Sequence, residues 1–242
     1  CSSDLGFLMK KFVIEDAFWN LFPSAKIGVV ICNDIDNSIK DEDYKKIILK
    51  GEEEALKYLE DSEFSNNQVI KVWREAFKKF KTKKGARSSI EALLKRVHNG
   101  NNIGTINPLV DIYNFISLKY ALPCGGEDID KFIGDIRLTR AIGNEEFIPL
   151  GTDENSFPYE GEIIYKDDVG AICRCWNWRE AVRTMLTEDT NNAFLCIELV
   201  DESRFKEFEN ALNELAKIVQ EKLGGNCKIS ILDIDNKEVS VD

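Results

Sequence analysis

Three places in this chain hold side chains that could do chemistry. The first is INPLVDIYNFISLKYALP, residues 106–123, where Asn107, Asp111 and Asn114 recur at i, i+4 and i+7. That spacing puts them on one stripe of a helix that is otherwise apolar all round. The second is CRCWNWREAVRT, residues 173–184, in which Trp176 and Trp178 flank Asn177, with Arg174, Arg179 and Arg183 close by. Trp and Arg together can stack on a base or clamp a phosphate, although either Trp could equally be core. The third is NAFLCIELV, residues 192–200, where strand alternation puts Glu198 on one face with Phe194, Cys196 and Val200. A carboxylate in such company is costly unless it is hydrogen-bonded, set in a pocket or at a solvated sheet edge.

Other chemistries lack their residues. There is one histidine, His98, at the end of a helix, so Ser/His and Cys/His nucleophile systems are disfavoured. No Gly-rich phosphate loop, G-x-S-x-G elbow or H-E-x-x-H motif occurs. The seven cysteines are scattered apart from Cys173 and Cys175. That pattern reads as reduced thiols in a cytoplasmic protein, used as small buried hydrophobes rather than as a zinc site. Neither metal nor cofactor is expected.

Charge is unevenly spread. The net charge is −11, yet residues 71–96 carry ten Lys and Arg against only Glu75 and Glu91, net +8, leaving −19 elsewhere. One face suited to a polyanion, or a solvated helix plus a Lys-rich loop, would each look like this. Lys78, Lys79, Lys83, Lys84, Arg87 and Arg96 are the cations that would meet such a polyanion.

The elements that must position these residues are legible in outline. A buried strand is expected over 25–33, helices over 41–59 and 69–80, and a helix opened by a Ser88/Glu91 capping box and closed at Asn99–Gly100. Asn107 as N-cap and Pro108 at the first position open the next helix. From Gly134 short strand-like runs follow (DIRLTRA, EEFIPL, GEIIYKDD, GAICRCW, NAFLCIELV), then an amphipathic helix over 204–223 and a closing strand CKISILDID. The fold class is therefore mixed α/β (α+β). A small N-terminal strand–helix subdomain is expected over 9–86 and a core over 87–242, with residues 1–8 ahead of Met9 read as a non-native leader. No run is long enough to span a bilayer.

In order along the chain, RSSIEALLKRV, the helix with its "VD", "N" and terminal "LP", DIRLTRA, WNWRE and LTEDT resemble the B3/4 editing domain of the bacterial phenylalanyl-tRNA synthetase beta subunit, over residues 87–200. The signature there is I-[ND]-x-x-V-D-x-T-N-Y followed by a Pro, onto which Asp111, Asn114 and Pro123 align. The resemblance implies a B3/4-like fold and a trans-acting deacylase that cleaves the ester of mischarged tRNA. It implies tRNA as partner, with no membrane and no DNA. Gly125 stands where the synthetase has histidine, and the synthetase's pocket glutamate falls at Cys196, or at Glu198 after a two-residue shift. The expected site has Asn107 and Glu198 as catalytic residues, with Pro123, Cys124, Gly125, Gly126, Trp176, Asn177, Trp178 and Arg179 binding substrate. Asp111 and Asn114 are expected to brace the helix. A non-catalytic RNA-binding module, or a pocket for a free amino-acid-like ligand, are the alternatives.

Overall fold

The computed structural model describes residues 9–40 and 43–242, so the expected leader, residues 1–8, lies outside it. The chain runs β1 (Lys11–Ile14), α1 (Asp16–Trp19), β2 (Lys26–Asn33), α2 (Asp43–Ala55), α3 (Gln68–Phe77), α4 (Ser89–His98), α5 (Pro108–Tyr120) and β3 (Cys124–Asp128). It continues through β4 (Ile136–Arg140), β5 (Ile163–Lys166), β6 (Ala171–Arg174), β7 (Arg179–Glu180), β8 (Ala193–Leu199), α6 (Phe205–Leu223), β9 (Asn226–Leu232) and β10 (Glu238–Ser240).

The strands form two sheets, ordered β10-β1-β4-β5-β6-β7 and β3-β8-β2-β9. Alternation decides what each face touches. Phe194 and Cys196 of β8, with Ile27, Val29 and Ile31 of β2, belong to a core shared with Phe12, Leu138, Ile163 and Ile172 of the other sheet. The intervening Leu195, Ile197 and Leu199, with Val30 and Cys32, pack beneath α5 and α6. The layers are thus sheet, sheet and helices. Gly28 permits the last contact, because a Cβ there would lie 2.5 Å from a methyl of Leu212.

Local capping set the helix starts as expected. The Ser88 hydroxyl accepts from Glu91 N–H at 3.2 Å. The Glu91 carboxylate does not complete the box; it bonds Arg74 Nε at 2.8 Å. Asn107 caps α5 by accepting from Val110 N–H at 3.2 Å, and Ala121 ends that helix in the left-handed region.

Both sheets take strands from either side of residue 86: β1 pairs with β4 and β10, and β2 lies between β8 and β9. EEFIPL, expected as a strand, is none; its main chain pairs with the rest only through isolated bridges at Glu146 and Pro149. CGGED, not among the strands expected from the sequence, is β3, held in register by β8. Among the described residues no helix is long and apolar enough to cross a membrane. The cysteines described are unbridged, five of them buried and Cys227 half-buried.

Candidate functional site

A cavity of about 540 Å³ lies between the two sheets, walled by α4, α5, β3, β8 and the β5–β7 corner. Most of its wall is apolar, from Phe132, Ile136, Ile172 and Phe194, but three carboxyl groups reach it: Glu127, Glu180 and Glu198. Each comes from a different strand. Sheet pairing sets Glu180 opposite Cys173, and Gly125 opposite Cys196.

Glu198 is 1% exposed. Tyr165 donates its hydroxyl to Glu198 Oε2 at 3.1 Å, and Asn177 Nδ2 donates to Oε1 at 3.4 Å. Burial outweighs these hydrogen bonds and pushes the Glu198 pKa up to about 8. Glu180 sits beside Gly125, where a Cβ would be 3.7 Å from its Oε1. Burial raises it to about 7, against the pull of the Gly126 main-chain N–H. Glu127 accepts from Thr184 Oγ1 at 3.0 Å, and burial together with the negative field of Glu180 drives its pKa well up.

The corner that presents Asn177 is strained. Cys175 and Trp176 are both left-handed, with φ of 47° and 62°, a conformation non-glycine residues adopt only when their surroundings enforce it. Here a fully buried ion pair enforces it. Arg174 Nη2 and Nε donate to Glu162 at 2.7 and 3.0 Å, and Cys175 N–H donates to the same carboxylate at 3.1 Å. Asn177 then bridges two walls, accepting from Ser89 N–H at 3.2 Å while donating to Glu198.

Of the expected site residues, Cys124, Gly125, Gly126, Trp176, Asn177, Trp178, Arg179, Glu198 and Arg96 line this cavity. Trp176 is no stacking platform: it is wholly buried, edge-on to Phe18 and Trp73. Only its indole N–H is of note, since Nε1 faces Glu198 without closing a hydrogen bond. Trp178 is half-buried between Arg179, 4.7 Å from its ring, and Arg174 at 5.7 Å. Pro123 is off the cavity wall and serves the sheet, its carbonyl accepting from Glu198 N–H.

Asn107 also lies off the wall. Besides capping Val110, its Oδ1 accepts from Asn37 Nδ2 at 3.1 Å and its own Nδ2 donates to the Leu186 carbonyl at 3.4 Å. Asp111 is buried as a brace, accepting from Ile106 N–H at 2.8 Å, with burial raising its pKa. The roles in the stripe are therefore exchanged: Asn114, expected to brace the helix, faces the cavity.

The basic segment is partly neutralised. Lys78 pairs with Glu75 at 2.7 Å, Lys79 lies over Phe22, and Arg74 pairs with Glu91. Lys83, Lys84 and Arg87 are exposed and have no ion pair among the described residues. Their loop abuts the site, the Lys83 main-chain amide lying against the Cys175 thiol. Arg96 reaches the cavity from α4 and donates to the Asn102 carbonyl.

Glu127, Glu180, Tyr165 and Ser89 are site residues that sequence reasoning did not single out. Glu180 carried a usable signal, a carboxylate one step from the aromatic–Arg cluster. Glu127, next to two glycines, carried none.

Fold and site thus define a mixed α/β domain of two stacked sheets around an acid-lined cavity. The profile of the B3/4 domain family matches residues 72–224, and the chain belongs to that family. It is similar to the phenylalanine–tRNA ligase beta subunit of Mycoplasmoides gallisepticum, 46% identical over 68 residues, 28% of this chain and 8% of that one. The beta subunit from Mycoplasma genitalium is 32% identical over 93 residues, 38% and 11% of the two chains. The chain spans about a tenth of the length of these relatives. Among solved structures, an N-terminal fragment of the phenylalanyl-tRNA synthetase beta subunit from Pyrococcus horikoshii matches at 15% identity and a TM-score of 0.44, over 89% of this chain and 49% of that one.

Proposed function

We propose that this chain hydrolyses the ester of aminoacyl-tRNA. The observation that carries the reading is the cavity: about 540 Å³, mostly apolar, with carboxyl groups on its wall, next to a loop of exposed cations that have no ion pair among the described residues. Family membership and the synthetase beta-subunit relatives support a tRNA setting. The aminoacyl end enters the cavity, and Lys83, Lys84 and Arg87 meet the phosphates behind it.

An aminoacyl ester is already activated, so a positioned water and one well-tuned base suffice. Glu180, with a pKa near 7, suits that task at neutral pH. Its place beside Gly125 leaves room for an ester carbonyl, because no side chain stands there. The water gives its proton to Glu180 as its oxygen bonds the carbonyl carbon; the tetrahedral intermediate then releases the ribose hydroxyl, which takes that proton. Glu198 and Asn177 shape the cavity around the aminoacyl group. Asn107, committed to capping, has no part in this scheme.

The test is a panel of correctly and wrongly charged tRNAs labelled on the amino acid. Selective release from one mischarged species, slowed about 100-fold or more in Glu180→Gln, is the expected result. Spontaneous decay across the whole panel refutes hydrolysis. Salt-sensitive tRNA binding alongside that decay points to a non-catalytic RNA module, and binding of a free ligand alone points to a small-molecule pocket.

A further inference from the structure

Glu127, Glu180 and Glu198 converge on one cavity, and all three lie close enough to the Cys173 thiol to raise its pKa. Among the described residues none of the three is in an ion pair. The nearby cations are engaged elsewhere: Arg183 with Asp167 at 2.7 Å, Lys131 with Asp128 at 3.9 Å, and the two exposed arginines on the cavity rim with neutral groups, Arg96 with the Asn102 carbonyl and Arg179 over the Trp178 ring. Two buried acids, Glu127 and Glu198, and the half-buried Glu180, none of them ion-paired, are a standing cost to the fold. Glu198, the most enclosed, has its two oxygens met only by neutral donors, Tyr165 and Asn177.

A second observation concerns the neutral donors of the wall. Trp176 is fully buried and lines the cavity, yet its Nε1–H, which faces Glu198, closes no hydrogen bond among the described residues. The Ser89 hydroxyl, also on the wall, is likewise buried and unpartnered among the described residues. Buried donors are rarely left so, and in a cavity a ligand or a water satisfies them. The cavity therefore asks for a positive charge and, beside it, an oxygen acceptor.

We propose that the cavity recognises a primary ammonium group of an amino-acid ligand, seated against Glu198, with Trp176 Nε1 donating to an oxygen of the same ligand. The inference deepens the deacylase reading by naming what part of the aminoacyl group is read. The ammonium is the α-amino group or a side-chain amine, and both present the same chemistry to Glu198. Apolar flanks at Phe132, Ile136, Ile172 and Phe194 hold the carbon skeleton. Binding is tied to ionisation: the ammonium draws Glu198 into its charged form, so at neutral pH a proton is released to buffer.

The test needs no tRNA. Amides of the twenty amino acids, with lysinamide and ornithinamide as side-chain amines, are titrated calorimetrically into the full chain, each beside its Nα-acetyl derivative. At least one free amine is expected to bind. Loss of tenfold or more on Nα-acetylation assigns the α-ammonium. Binding confined to lysinamide or ornithinamide that survives Nα-acetylation assigns the side-chain amine. Glu198→Gln, which keeps the shape, is expected to weaken binding at least tenfold while its urea unfolding stays cooperative. No binding by any amine, equal binding of neutral analogues, or unchanged affinity in Glu198→Gln each overturns the proposal. Hydrolysis of a mischarged tRNA with no amine recognition would leave the deacylase standing and this inference fallen; amine binding without hydrolysis would do the reverse.

Discussion

Glu198→Gln separates the cost of the buried acid from everything else around it. The pKa of Glu198 rises from an ordinary 4.5 to about 8 in the fold. Below pH 4.5 the carboxyl is neutral in both folded and unfolded chains, and it costs nothing. Between 4.5 and 8 the unfolded chain ionises while the folded one stays protonated, so stability falls as pH rises, by up to about 1.4 kcal/mol per pH unit. The loss is about 1 kcal/mol at pH 5, about 3 at pH 7 and about 5 above pH 8. Gln matches the neutral acid in shape. Its oxygen can accept from Asn177 and its amide can donate to the Tyr165 hydroxyl, which then accepts. Tyr165, Cys124, Cys173 and Cys196 face the same group, but burial holds all four above this range. Glu127 and Glu180 titrate in both proteins and largely cancel. Urea unfolding at pH 5, 7 and 9 should therefore find the variant close to wild type at pH 5 and several kcal/mol more stable at pH 9. Parallel stability curves for the two proteins would show Glu198 ionised in the fold and refute the reasoning.

Three further outcomes are expected. Asn107→Ala removes the α5 cap and leaves Asn37 short of an acceptor, costing about 2 kcal/mol and lowering Tm by about 4–8 °C; ligand affinity should be unchanged, and an intact Tm with lost activity would return Asn107 to the chemistry. Arg174→Met strands Glu162 and loosens the left-handed turn at Cys175–Trp176, at about 3–5 kcal/mol in urea unfolding, and a change under 1 kcal/mol would mean the ion pair does not hold that corner. Reversing charge at Lys83, Lys84 and Arg87 should weaken tRNA binding and make log K against log salt shallower by about 2–3; amino-acid amide binding should stay within twofold, and unaffected tRNA binding would move the RNA face elsewhere.

The sequence by itself determined whatever depends on neighbours in the chain. Ser88 and Asn107 announce helix starts because a cap bonds an N–H three residues on, and both do so here. The stripe of α6 and the alternation of β8 follow from helical and strand periods alone; Glu198 was found that way, as the odd carboxylate on an apolar face. Signature residues from 87 to 200 carried the family. Tertiary structure decided the rest. β1, β3 and β10 are short, and only partners more than a hundred residues away for β1 and β10, or about seventy for β3, make them strands. That pairing threads the N-terminal residues into both sheets. The same pairing gathers Glu127, Glu180 and Glu198 from three strands, a convergence no local spacing records. It also divided the polar stripe of α5: packing against Asn37 and Leu186 took Asn107 for the scaffold, while Asn114 lines the cavity. Residue types state which chemistry is possible; which groups face one another, and how far from water, is set by long-range contacts.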